Sequence, residues 1–158
     1  MELARLFPEK SFVGLDWAAP SVQIVNELAG AYGWRMKGER FDFFAPPEEF
    51  EIPPRTAFLT FCALEQTGEM FRPFLDFVQR TAPELCIHVE PMVEWYDQAL
   101  LPDYLAVRFQ TARRYLHGLA AELDKRAAEG KAEIIRKHRT PFGSLFLDAY
   151  SQLIWRPL

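Results

Sequence analysis

The run Ser11-Phe-Val-Gly-Leu-Asp16-Trp17 constrains this chain more than any other segment. A short apolar stretch ends in a carboxylate, and helix-compatible sequence opens at Pro20 and Ser21. A second acidic strand end follows at Asp42, within Phe41-Asp-Phe-Phe44. Carboxylates closing successive strands belong to a doubly wound α/β sheet, whose ligands sit outside the carboxyl ends of the strands. The Gly-rich turn that accompanies such a sheet is missing. The chain contains no Gly-x-Gly, and Met1 to Pro8 reads as the tail of an amphipathic helix with Leu3, Leu6 and Phe7 on one side.

The later sequence continues the alternation. Val22, Val25, Leu28 and Ala29 recur at helical spacing up to Gly30 or Gly33, and a second strand is expected from about Arg35 to Phe43. Ala45 to Pro54 carries four prolines and several glutamates, so it is expected as an exposed loop. Thr56 to Cys62 and Leu85 to Val89 are continuous apolar runs, which predict strands buried on both faces. Between them, Met70, Phe71, Phe74, Leu75, Phe77 and Val78 predict a helix. Pro102 to Glu129 reads as one long helix with a stripe of Leu105, Phe109, Ala112, Leu116, Leu119 and Leu123, capped by Gly130. Ala132 to Lys137 and Leu145 to Trp155 are the last two strands. The connection Thr140-Pro-Phe-Gly-Ser144 is short enough for an antiparallel pair.

Length and composition bound the rest. With 158 residues, 49% of them hydrophobic, the chain is expected to be a single domain, 1–158, with a sizeable core. A net charge of -4 argues against nucleic acid as a partner. Arg136-Lys-His-Arg139 reads as a solvated strand end. No apolar run is long enough to span a bilayer and no signal-peptide pattern opens the chain, which leads to the expectation of a cytoplasmic protein without a membrane partner. Cys62 and Cys86 sit in apolar runs as reduced core thiols, and neither they nor the dispersed His88, His117 and His138 have metal-ligand spacing.

Read as β-α-β-loop-β-α-β-α-β-β, the chain resembles the class I S-adenosylmethionine-dependent methyltransferases from their first helix onward, over nearly its whole length. Phe12-Val-Gly-Leu-Asp16 matches the family's second strand, and the final strand pair around Phe142-Gly-Ser144 matches its antiparallel end. The resemblance implies a Rossmann-like, mostly parallel sheet and S-adenosylmethionine as cofactor. It further implies that Asp16 holds the ribose hydroxyls and that Asp42 touches the adenine amino group; the alternatives are a helix N-cap or turn residue for Asp16 and a turn-forming carboxylate for Asp42. Trp17 and Phe43 either flank the adenine or serve as ordinary core aromatics. Thr60-Phe-Cys-Ala-Leu-Glu-Gln66 and His88-Val-Glu-Pro91 look like the segments facing the methionine end and the substrate. Glu65 and Gln66 are the candidate substrate residues, with helix capping as their alternative. His88 and Glu90 are the candidate catalytic residues, since a positioned imidazole or carboxylate can take a proton from a hydroxyl, with a hydrogen-bonded core histidine as the alternative for His88.

The family's first strand and glycine turn are absent, and in the family that strand lies between those ending at Asp16 and Cys62. The chain is therefore expected to be N-terminally truncated and weakly active or inactive as it stands. Its gap is expected to close by direct pairing of Phe12 to Asp16 with Thr56 to Cys62, and its strand edges to favour self-association. The methyl acceptor implied is a small or sugar-like molecule. Two other functions fit the same residues: a non-enzymatic α/β remnant or interaction subunit, and a fragment of a nicotinamide-dependent oxidoreductase.

Overall fold

The computed structural model describes residues 1–140, 143–144, 147–148 and 150–158. The chain falls into two compact units, residues 1–47 and 48–158.

The first unit contains α1 (Glu2–Leu6), β1 (Phe12–Asp16), α2 (Ala19–Tyr32) and β2 (Met36–Arg40). Helix α2 forms where the sequence places it. Pro20 occupies its first turn, where a missing N–H costs nothing, and Gly33 ends it in the left-handed region at φ 66°. Strands β1 and β2 pair in parallel, with Gly14 opposite Gly38. That glycine pair is where α2 crosses. A Cβ on Gly38 would lie 2.6 Å from the Val22 carbonyl oxygen, and one on Gly14 would meet Val25 at 3.3 Å. The expected second strand is shorter than its hydrophobic run, ending at Arg40, so that Asp42 and Phe43 fall in the following turn. In α1 the buried residue is Ala4, whereas Leu3, Leu6 and Phe7 are exposed.

The second unit contains β3 (Ala57–Phe61), a 3-10 turn (Leu64–Thr67), α3 (Arg72–Thr81), β4 (Leu85–Glu90), α4 (Leu101–Arg113), α5 (Leu119–Ala128), β5 (Ala132–His138), the short β6 (Gly143–Ser144) and β7 (Leu147–Asp148), and β8 (Ser151–Pro157). Its main sheet runs in the order β3-β4-β8-β5. The first pair is parallel, and β8 is antiparallel to both its neighbours. The last two long strands thus pair antiparallel as expected; Phe142 and Leu145, which belonged to that expectation, lie outside the described residues. Helix α3 supplies the core, with Phe74, Leu75 and Val78 fully buried and the Phe74 ring tilted against Phe58 of β3 at 5.2 Å between centres.

Three expectations are corrected. Strand β3 is not buried on both faces: it alternates, with Phe58 and Thr60 inward and Leu59 and Phe61 exposed. The direct pairing expected between β1 and β3 is not made. Among the described residues β1 pairs only with β2 and β3 only with β4, in separate sheets. Finally, the long helix is two helices. Arg114 and Gly118 adopt left-handed φ of 55° and 89°, while Leu116 and His117 donate backbone hydrogen bonds to Glu65 and Gly68 instead of continuing the helix. Helix α4 turns Asp103, Ala106 and Gln110 inward, and Ala112 of the expected stripe is exposed.

Candidate active site

In the first unit the parallel ladder brings Asp16 and the turn after β2 to the same carboxyl edge. The Phe41 N–H donates to the Asp16 carbonyl at 2.9 Å, extending the ladder by one rung. Asp16 is half-buried, and its Oδ1 accepts the Ala18 N–H at 2.8 Å, which fixes the entry to α2. Its second oxygen makes no hydrogen bond among the described residues. Asp42 is exposed and uses Oδ1 to accept the Phe44 N–H at 2.8 Å, a local turn of the kind Asp favours. Trp17 is 73% exposed, a large apolar ring left in water. Phe43 meets Phe41 edge-on at 5.6 Å.

In the second unit the parallel β3 and β4 end side by side, so residues 61–66 and Glu90 occupy one edge of that sheet. The chain leaves β3 through Cys62, a non-glycine residue at φ 47°, and enters the 3-10 turn. Glu90 sits under this turn, fully buried. Its Oε1 accepts the N–H groups of Ala63 and Leu64 at 3.1 Å each, and its Oε2 accepts that of Glu65 at 3.2 Å. The Thr60 hydroxyl is a further hydrogen-bond partner of this carboxyl. Burial pushes the Glu90 pKa up, and these donors pull against that rise.

His88 lies directly behind, opposite Thr60 in the ladder and fully buried. Its Nε2 is 2.9 Å from the indole Nε1 of Trp155, which can only donate, and its Nδ1 is 2.9 Å from the Thr60 hydroxyl. The ring is therefore neutral with its proton on Nδ1, and burial lowers its pKa to about 3. With both nitrogens engaged and no exposed surface, the imidazole is a core residue, not a base poised for a substrate. Sequence alternation had placed His88 and Glu90 on one strand face. The register that sets Thr60 and Trp155 against them had no signal in the sequence.

Glu65 and Gln66 stand at the outer side of the same turn. Glu65 is clamped at both ends of its peptide unit, its N–H to Glu90 and its carbonyl to the Leu116 N–H at 2.8 Å. Its Oε2 is buried with no hydrogen-bond partner among the described residues, and burial raises its pKa. Gln66 is exposed and lines, with Thr67, Met70, Gln110, Tyr115 and His117, a cavity of about 560 Å³. That volume is within the range of small-molecule sites. Cys62 beside the two glutamates is held as a thiol: burial, then the charges of Glu90 and Glu65, push its pKa up to about 11. Among the described residues no three His, Cys, Asp or Glu side chains are grouped to hold a metal ion, and no helix is long and apolar enough to cross a membrane.

The basic segment is not a uniformly solvated strand end. Arg139 forms a bidentate pair with the buried Asp103 at 2.5 and 2.6 Å, its guanidinium 4.5 Å from the Tyr96 ring centre, and Lys137 pairs with Asp124. The Arg139 hydrogen bonds hold the Asp103 carboxyl below its ordinary pKa. This ties the start of α4 to the end of β5.

No protein-family model matches the sequence, and no curated protein matches it. Solved structures do. LepI in complex with SAM superimposes with a TM-score of 0.60 at 10% identity, over 99% of this chain and 39% of that one. The CMeT domain of the citrinin polyketide synthase gives a TM-score of 0.59 at 13% identity, over 98% of this chain and 42% of that one. A pericyclic reaction enzyme gives 0.56 at 10% identity, over 99% and 39%. The chain spans about two fifths of the length of these proteins. At such identities the likeness is one of fold: the chain has an α/β, methyltransferase-like fold, with parallel pairs β1-β2 and β3-β4 and an antiparallel close through β8.

Proposed function

We propose that this chain is a methyltransferase-type domain that binds S-adenosylmethionine and serves methyl transfer to a small molecule carrying an O–H or N–H group. The observation that carries the reading is the fold likeness to a SAM complex and a CMeT domain, together with an acidic residue closing β1. That the two compact units act as one methyltransferase domain is part of the proposal.

The residues present fit the cofactor. Asp16 offers an oxygen with no partner among the described residues at a strand end, suited to a ribose diol, and the exposed Trp17 offers a ring face for a purine. Asp42 and Phe43 stand at the same edge, with Asp42 keeping one oxygen beyond its turn bond. S-adenosylmethionine supplies an electrophilic methyl group, so the protein's task is mainly to position and to exclude water. Glu65 and Gln66 are assigned to the acceptor, with the exposed Gln66 amide, which lines the cavity, the group able to meet its O–H or N–H, and Glu65, whose Oε2 is buried, next to it in the chain. The cavity beside Gln66 provides the room.

Titration of S-adenosylmethionine to millimolar concentration, followed by NMR, tests the reading. Shifts are expected at Asp16, Trp17 and Phe43, and Asp16→Ala should weaken binding by about 1.5–3 kcal/mol, the scale of hydrogen bonds to a charged group. No shift at these residues would refute the cofactor assignment; unchanged affinity in Asp16→Ala would remove that residue from it.

A second reading has one observation behind it, the likeness to a pericyclic reaction enzyme. In that reading the same fold serves a rearrangement without group transfer. Binding without methyl transfer to any O–H or N–H acceptor would favour it.

A further inference from the structure

The buried polar groups behind the 62–65 turn form a directed chain. Trp155 Nε1–H donates to His88 Nε2, which leaves the ring proton on Nδ1 to donate to the Thr60 oxygen, which leaves the Thr60 proton for Glu90. Trp155, His88 and Glu90 have no exposed surface, and Thr60 is 3% exposed. Every donor in the series points toward one carboxylate, and that carboxylate spends its remaining capacity on the N–H groups of Ala63, Leu64 and Glu65. Such a series polarises cooperatively and is worth making only if complete, because a buried donor left unpaired is costly.

The beneficiary is a turn whose N–H groups at Ala63, Leu64 and Glu65 all donate to Glu90, while the Leu116 and His117 N–H groups hold its carbonyls at Glu65 and Gly68. It starts at the strained Cys62 and ends at Gly68, φ 61°, where a Cβ would lie 2.9 Å from the Arg114 carbonyl oxygen. A side-chain amide in place of Glu90 would set its own N–H groups against those of the turn. Only a carboxylate accepts all four donors.

We infer that Glu90 is a positioning residue for the acceptor end of the site: through Thr60, His88 and Trp155 it fixes the 62–65 turn in the conformation that presents Glu65 and Gln66. The inference rests on the proposed assignment of those two residues to the acceptor.

The test compares the full chain with Glu90→Gln and with the near-isosteric Thr60→Val, which breaks the relay while keeping the carboxylate. Amide hydrogen exchange at Ala63, Leu64 and Glu65 should accelerate by about tenfold or more in Glu90→Gln, with α3 amides keeping their protection. Thr60→Val should accelerate the same three amides to a smaller degree, and the ¹⁵N resonance of His88 Nδ1, its direct partner, should shift as the check that the relay is broken. Unchanged exchange at the three amides, equal acceleration across α3, or a Thr60→Val protein in which neither the turn nor the His88 resonance changes would overturn the role of Glu90. S-adenosylmethionine titrated into the wild-type chain is the separate control. Its failure to bind would overturn the acceptor part of the inference along with the proposed function, whereas unchanged exchange in a chain that binds it would overturn Glu90 alone.

Discussion

Acidification should weaken the second unit through His88. The unfolded imidazole titrates near 6.5, whereas burial holds the folded one neutral down to about 3. A depressed pKa means that the unfolded state takes up the proton first. The stability tied to neutral His88 is therefore complete above about 6.5, declines as pH falls, and is gone once the folded pKa of about 3 is passed. Between pH about 7 and about 5 the loss is about 2 kcal/mol. Because His88 is fully buried, this figure needs no discount for solvent screening. Glu65 and Glu90 run the other way. Their folded pKa values are raised, so the folded state binds protons first and gains stability as pH falls toward the ordinary carboxylate range. Asp103 has a lowered pKa, and its contribution is lost only below 3.8, outside this window. Comparing wild type with His88→Gln isolates the imidazole. Urea unfolding followed by NMR intensities of β4 and β8 should show a smaller loss between the two pH values in the variant, by about 2 kcal/mol. Parallel pH dependence in the two proteins, or ring ¹⁵N shifts reporting a protonated His88 at pH about 5, would refute the argument.

Gly38→Ala should destabilise the first unit by about 1–3 kcal/mol, because the new Cβ lies 2.6 Å from backbone and neither partner is a movable side-chain tip. Gly30→Ala, where a Cβ meets nothing within 4 Å inside α2, should instead stabilise by about 0.5–1 kcal/mol, and thermal unfolding of the pair checks the contrast. Arg139→Ala should cost about 1.5–3 kcal/mol by urea unfolding, since it leaves the buried Asp103 without its bidentate partner. Arg139→Lys should restore only part of that, an ammonium lacking the fork geometry. Cys62 and Cys86, pushed up to about 11 and about 12, should react with a disulfide reagent at pH about 8 far more slowly than an unperturbed thiol.

Local chemistry was legible in the sequence wherever one residue type suffices. Asp16 ends a strand and opens a helix because an apolar run meets a turn-forming carboxylate. Helix α2 starts at a proline and stops at a glycine, and α3 buries the residues whose spacing is helical. The parallel pairs and the antiparallel close followed from the order of those elements, which connections and chain handedness restrict to few arrangements.

What the tertiary structure alone decided concerns partners distant in the chain. An unbroken apolar stripe from Leu105 to Leu123 cannot announce that Leu116 and His117 will bond to the 65–68 turn, because that choice weighs helical hydrogen bonds against ones made with a segment some fifty residues earlier. Arg139 reads as one more surface cation until folding sets Asp103 beside it. His88 carries the clearest lesson: by residue type it is a proton acceptor near neutral pH, and by sequence it sits on a strand face with Glu90. Ladder register places a tryptophan N–H on one of its nitrogens and a hydroxyl on the other, and burial then withdraws it from titration. Residue identity sets what a group can do in water, but the dielectric and the donors that folding gathers around it determine which of those properties survives.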